Sequence, residues 1–304
     1  MDRRELIRKM LLISCTGFGK VPQILQYSAL KKFKNFGLQL STIAAAMAED
    51  LPGTLEEVAK IGYLQVEFSA LGFLGHDVLK VKDILMRNKL SAPVGRVAFK
   101  VPPDFMSMPR DRQMQFFSTQ ASLDSLKDRI ELSLSECKVI GQKILIIPAI
   151  MPHNFTDLDK IKKMIAQLKE SGKRCRDAGI LLGYHNHNWE FNEVGGTIPY
   201  EMMLQELDPD LFTFQLDTYW VRKAERIPGK MLAEYPGRFI TCHLKDIDQE
   251  GDFEDVGFGE IDFSAFIKKA TDQGAKYFFV ERDTSEDPFL SIKRSYEFLK
   301  NMKY

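Results

Sequence analysis

His185, Asp217, His243 and Glu281 each close a short apolar run rich in β-formers: Leu181-Leu182-Gly183-Tyr184, Phe212-Thr213-Phe214-Gln215-Leu216, Phe239-Ile240-Thr241-Cys242 and Tyr277-Phe278-Phe279-Val280. Two imidazoles and two carboxylates make a mixed nitrogen and oxygen donor set. Such a set suits Mn²⁺ or Zn²⁺ first and Co²⁺ or Fe²⁺ next; Mg²⁺ fits less well, and Ca²⁺ takes oxygen alone. An ion of this kind can chelate two vicinal oxygens of a hydroxy-carbonyl compound, polarise the carbonyl and stabilise the enediolate left when the neighbouring carbon loses its proton. The expected chemistry is isomerisation or epimerisation of a small hydroxy-carbonyl substrate.

Other residues stand where they could assist. Glu281 is expected to act as ligand and base together. His187, two positions after His185 and so on the same face if the strand runs on, supplies a second candidate base. Lys245, two after His243, is expected to neutralise an oxyanion or a substrate phosphate, with a rim salt bridge to Asp246 as the competing reading. Glu67 closes an earlier strand and is expected to bond substrate hydroxyls or to brace a ligand. Arg96 offers a grip for a carboxylate or phosphate, and Trp220, with Tyr219 and Phe258, offers a platform on which a sugar ring stacks. The Pro/Met-rich stretch from Pro102 to Met114 reads as a long loop closing over the site. Gly195, Gly196, Gly257 and Gly259 read as loop hinges, and none has phosphate-loop spacing.

Four strand ends meet at one point only if the strands run parallel around a barrel, which delivers every C-terminal end to one rim. Eight strand-then-helix units can be traced. The strands are Phe36–Leu40, Leu64–Phe68, Ala92–Ala98, Ile144–Ile147 and the four runs above. Helices are expected near Thr54–Ile61, His76–Asn88, Leu123–Ile140, Phe155–Ala178, Tyr200–Leu207, Pro228–Tyr235, Phe263–Gln273 and Pro288–Met302. Strands without a polar face are buried on both sides, as in a parallel sheet under helices. No Gly-rich loop follows the first strand, where Leu40-Ser41-Thr42-Ile43 stands, so a dinucleotide-binding open sheet fits worse. The fold class expected is α/β, a single-domain (β/α)₈ TIM barrel over residues 36–304.

The chain has 304 residues, 44% apolar, and its 42 basic and 42 acidic side chains cancel. It is long enough to bury a substantial core, and its neutrality counts against nucleic acid as a partner. Cys15, Cys137, Cys175 and Cys242 include no CxxC pair, so no disulfide is assigned and the last three read as buried apolar residues. Residues 1–35 read as a leader. Arg3-Arg4 followed by Leu11 to Cys15 resembles a degenerate twin-arginine export signal with a lipoprotein-like box, and the competing reading is a cytoplasmic leader. The protein is thus periplasmic or lipid-anchored if the signal operates and cytoplasmic otherwise. No stretch is long enough for a transmembrane helix.

Gly183-Tyr184-His185-Asn186-His187, Leu216-Asp217-Thr218-Tyr219-Trp220, His243-Leu244-Lys245-Asp246 and Val280-Glu281 resemble the landmarks of xylose-isomerase-like TIM barrels, the sugar phosphate isomerase/epimerases. Gly37-Leu38-Gln39-Leu40 and Gly62-Tyr63-Leu64-Gln65-Val66-Glu67 match the same family. In its ketose 3-epimerases a metal is held by Glu, Asp, His and Glu from four successive strands, and the two glutamates exchange protons with the substrate. The resemblance implies those roles for Asp217, His243 and Glu281, and it implies a small-molecule sugar or sugar-derived substrate and a homo-oligomer as one arrangement. His185 stands where the first glutamate would be, which removes one carboxylate base. A metal-dependent lyase, dehydratase or ketoglycoside-cleaving enzyme is therefore the alternative on the same barrel. A non-catalytic sugar-binding protein and an endonuclease-IV-like repair enzyme stand further off. The latter needs three zinc ions, for which five histidines are few.

Overall fold

The computed structural model describes Phe33 and residues 36–102, 104–120 and 122–304. Apart from Phe33, the leader expected over residues 1–35 lies outside the described residues. Among the described residues no helix is long and apolar enough to cross a membrane.

Among the described residues ten strands form: β1 (Gly37–Gln39), β2 (Val66–Glu67), β3 (Val94–Arg96), β4 (Ile144–Ile147), β5 (Leu181–His185), β6 (Phe212–Asp217), β7 (Phe239–Leu244), β8 (Asp246–Ile247), β9 (Phe253–Glu254) and β10 (Tyr277–Val280). Eight of them make one parallel sheet in the order β2-β1-β10-β7-β6-β5-β4-β3. Its two edges meet at a parallel bridge between Gln65 and Ser91, where the Val66 N–H reaches the Ser91 carbonyl at 2.9 Å. The sheet is a nearly closed (β/α)₈ barrel, the TIM-barrel architecture expected.

Alternation along each strand divides the core in two. Leu145, Ile147, Leu182, Tyr184, Phe214, Leu216, Cys242 and Leu244 belong to the large cluster packed with the helices. The inward residues Val94, Ile144, Ile146 and Phe279 make a separate cluster with Ile240 and Tyr277 against it, the apolar filling of the barrel. Helices around the sheet offer apolar stripes to the outer cluster. In the helix Leu158–Asp177 the buried residues are Ile161, Met164, Ile165, Leu168, Gly172 and Cys175, the three-and-four spacing of one face. Cys137, Cys175 and Cys242 are buried free thiols, as expected of apolar residues.

Two segments depart from expectation. The stretch read as a loop from Pro102 to Met114 contains a 3₁₀ turn, Phe105–Ser107, and the start of a helix, Arg110–Gln120. Phe99, Phe105 and Phe117 pack there with ring centroids 5.2 to 5.3 Å apart. The glycines read as hinges between Lys245 and Phe263 are pinned instead. Gly257 and Gly259 donate backbone N–H to Asp246 Oδ2 at 3.0 and 2.9 Å, while Ile247 and Ile261 donate to its Oδ1 at 2.9 and 3.1 Å. Asp246 thereby fastens the antiparallel hairpin β8–β9, which carries Phe253.

Candidate metal centre

Strand register decides which side chains meet above the apolar filling. In the ladders His185 lies beside Gln215, Asp217 beside His243, and Leu244 beside Val280. The inward positions therefore bring His185, Asp217, His243 and Glu281 together, with ligand atoms all within 4.8 Å of one another and every residue buried. The convergence expected from the four strand ends holds.

Asp217 is the telling member. Its Oδ1 caps the helix Thr218–Lys223 by accepting the Trp220 N–H at 3.0 Å. Its Oδ2 is buried and, among the described residues, accepts no hydrogen bond. Around that oxygen stand His185 Nε2, His243 Nδ1 and Lys245 Nζ, each at 3.8 Å. A buried polar atom without a partner costs about 1–3 kcal/mol, and more when charged. A divalent cation would relieve that cost, and nitrogen and oxygen donors at these positions fit one.

Glu281 accepts from Ser41 Oγ at 2.7 Å on Oε1, and from His243 Nδ1 at 2.8 Å and Lys245 Nζ at 3.1 Å on Oε2. Burial alone would raise its carboxyl, but Lys245 and then His243 outweigh burial and hold it well below the usual range. His243 is likewise opposed by burial, yet Glu281 and Glu67 keep its imidazole protonated well above the ordinary value. His185 goes the other way. Burial, then the neighbouring His243 and Arg96, push it down, so it stands neutral.

Glu67 is wholly buried. Its Oε2 takes His243 Nε2 at 2.7 Å and Gln39 Nε2 at 2.6 Å, and its Oε1 takes Gln215 Nε2 at 2.8 Å. Of the two roles expected for it, the geometry favours bracing. Arg96 is also engaged, donating to Gln215 Oε1 at 2.6 Å with Glu67 at 3.7 Å. Lys245 pairs with Glu281 and with Asp283 Oδ1 at 2.5 Å, not with Asp246. Its ammonium lies 5.1 to 5.3 Å from the ring centroids of Phe253 and Trp220.

β5 ends at His185, so His187 is not carried on the strand as expected. It reaches the mouth by another route. Its ring stacks on Trp189 at 4.2 Å and lies 5.0 Å from His185 and 5.3 Å from Trp220. The turn is held by Glu190, buried, which accepts the His187 N–H at 3.0 Å and the Tyr184 hydroxyl. Phe258 is displaced from the expected platform: it is 50% exposed and packs near Phe298 with Arg294 over its ring. Its place is taken by Trp189 and Phe253. Gln39, at the end of β1, and Gln215, two residues before the end of β6, were missed, as was Asp283 in the loop three residues past β10. Ser41 and Glu190 lie in turns and gave no periodic signal.

A family model of the xylose isomerase-like TIM barrel matches residues 55–302. The chain belongs to this family. Among solved structures, this xylose isomerase-like barrel is similar to a sugar phosphate isomerase/epimerase from Parabacteroides distasonis, with 23% identity, TM-score 0.74, and coverage of 88% of this chain and 98% of that one. It is also similar to a 3-keto-D-glucoside 4-epimerase from E. coli, at 16% identity and TM-score 0.65 over 90% of this chain and all (100%) of that one. A third similar structure is the IOLI protein with a zinc atom bound, at 14% identity and TM-score 0.63 over 88% and 95% of the two chains. No curated protein matches the sequence.

Proposed function

We propose that the protein is a divalent-metal-dependent sugar isomerase or epimerase that works by abstracting a proton beside a carbonyl. The observation that carries this reading is the orphaned Asp217 Oδ2, ringed at 3.8 Å by His185, His243 and Lys245 with Glu281 alongside. His185, Asp217, His243 and Glu281 would hold the ion. Once bound, the ion supplies Lewis acidity toward two vicinal oxygens of the substrate, and Mn²⁺ or Zn²⁺ suits the donors best. Glu281 is the base, kept ionised by Lys245 and His243. Lys245 balances negative charge that develops on substrate oxygen, and Trp220, Trp189 and His187 wall the mouth against water.

The substrate favoured is a sugar without phosphate. Both cations expected to grip a phosphate are already matched inside the site, Arg96 by Gln215 and Glu67 and Lys245 by Glu281 and Asp283. A lyase or dehydratase is the second reading, favoured by His185 in the position of the first glutamate. The ring of ligands then has a base at Glu281 without a carboxylate on the opposite side, which suits one-sided elimination.

Elemental analysis of the purified protein beside a His185→Ala, Asp217→Ala double variant tests the metal. Free and phosphorylated ketosugars incubated in D₂O and followed by NMR test the reaction. About one equivalent of metal lost in the variant, with deuterium entering a free ketosugar, is expected. Loss of water or of a glycosidic group from the substrate would establish the second reading instead. Absence of metal after incubation with excess Mn²⁺ would sink both.

A further inference from the structure

We propose that Gln215 and Glu67 choose the nitrogen that each site histidine presents, His185 through Nε2 and His243 through Nδ1, and that Gln215 is what lets an imidazole serve on β5. The inference rests on the metal reading above and specifies how this chain's own residues serve it.

Hydrogen-bond direction settles the first half. Arg96 can only donate, and it lies 2.6 Å from Gln215 Oε1. The carboxylate of Glu67, at 2.8 Å, accepts from Gln215 Nε2, which also lies 3.2 Å from Thr241 Oγ1. The amide therefore has one orientation, with its oxygen toward Arg96. That same oxygen is 3.1 Å from His185 Nδ1, so Nδ1 must carry the proton. The lone pair of the neutral ring is left on Nε2, the nitrogen that faces Asp217 Oδ2.

His243 is read in the same way from the opposite edge. Its Nε2 donates to Glu67 Oε2 at 2.7 Å. Glu67 is held for that purpose by Gln39 and Gln215 and is wholly buried, so it cannot turn away to water. Nδ1 is the nitrogen on the side of Asp217 and Glu281. A ring N–H donated to a carboxylate fixes the tautomer and strengthens the opposite nitrogen as a ligand. Glu67 and Gln215 are thus positioning residues, joined to each other through a single amide. Neither need touch substrate.

The test loads the full chain with Zn²⁺, which is diamagnetic, and records long-range ¹H–¹⁵N spectra of its five imidazoles. The expected spectrum has His185 protonated at Nδ1 and His243 at Nε2, with the opposite nitrogen of each shifted by zinc. The wild-type spectrum decides the nitrogens without any variant having to fold. Zinc affinity, read by competition with a chromophoric chelator, is expected to fall about 10–100-fold in Glu67→Gln and in Gln215→Met. His185 in Gln215→Met is expected to lose its single tautomer. Zinc bound through the other nitrogens, or with unchanged affinity in both variants, overturns the inference and leaves the metal reading standing. A wild type that binds no zinc, nor Mn²⁺, overturns both.

Discussion

Glu281 and Lys245 are neighbours with separable duties. Their side chains meet at 3.1 Å, Lys245 going on to Asp283, so removing either changes the charge felt by the other. Glu281→Gln keeps the shape but removes the proposed base, and proton exchange with substrate is expected to fall about 10²–10⁴-fold. Lys245→Met is expected to lower kcat/KM about 10²–10³-fold with metal content unchanged, the size of losing one donor to a developing oxyanion. Deuterium exchange and elemental analysis on both variants check this. Loss of metal from Lys245→Met would instead make the lysine a counter-ion for the carboxylates. At this scale the sequence was most readable where an ionisable residue closed an apolar run, as with His185, Asp217, His243 and Glu281. Gln39 and Gln215 obeyed the same two-residue alternation, but an amide carries no charge and drew no attention. Glu190 acts through the turn that seats His187, and turn geometry leaves no period to find.

The hairpin β8–β9 shows how an element far from the ligands bears on the site. It holds Phe253 against the Lys245 ammonium, and Asp246 holds the hairpin by gathering four backbone N–H groups. Gly259 is part of the device, since a Cβ there would lie 2.3 Å from the Ile247 carbonyl oxygen. Asp246→Ala strands those donors, and a destabilisation of about 2 kcal/mol is expected, with the cost limited by water reaching the part-buried ones. Thermal melts measure the first effect. A rise in KM without loss of metal would show that the hairpin serves substrate rather than ions. The pairing of Asp246 with backbone was illegible because three of its four partners are eleven to fifteen residues away in loops. All eight barrel strands were legible, whereas the helices Ala44–Glu49, Arg110–Gln120 and Thr218–Lys223 were not. Leu123–Ile140 came out as expected, whereas β1 spans only Gly37–Gln39, since a 3₁₀ turn capped by Gln39 begins at Leu40. The helix Arg110–Gln120 was missed because its apolar residues, Met114, Phe116 and Phe117, are too few to set a helical period.

For the whole molecule, the ionic centre links folding to pH. In the metal-free protein His243 is protonated between Glu281 and Glu67, with a folded-state pKa raised well above 6.5. Its stabilisation is complete below the unfolded value and is lost as pH rises through the folded one. Glu281, depressed well below 4.5, contributes above the unfolded value and loses that contribution as pH falls through the folded one. The metal-free protein should therefore be most stable in a window from about 4.5 to about 6.5 and weaken on both sides. A divalent ion bound as proposed would displace the His243 Nδ1 proton. Its affinity should therefore climb about tenfold per pH unit until His243 is neutral in the metal-free state, and level off beyond. Thermal unfolding with chelator and with saturating Mn²⁺, across buffers spanning that window, measures both effects at once. The gap between the two melting curves should widen with pH, because the ion takes over the role of the proton just where the proton is lost. A gap that stays constant would mean that binding releases no proton, and that His243 is not where the ion attaches.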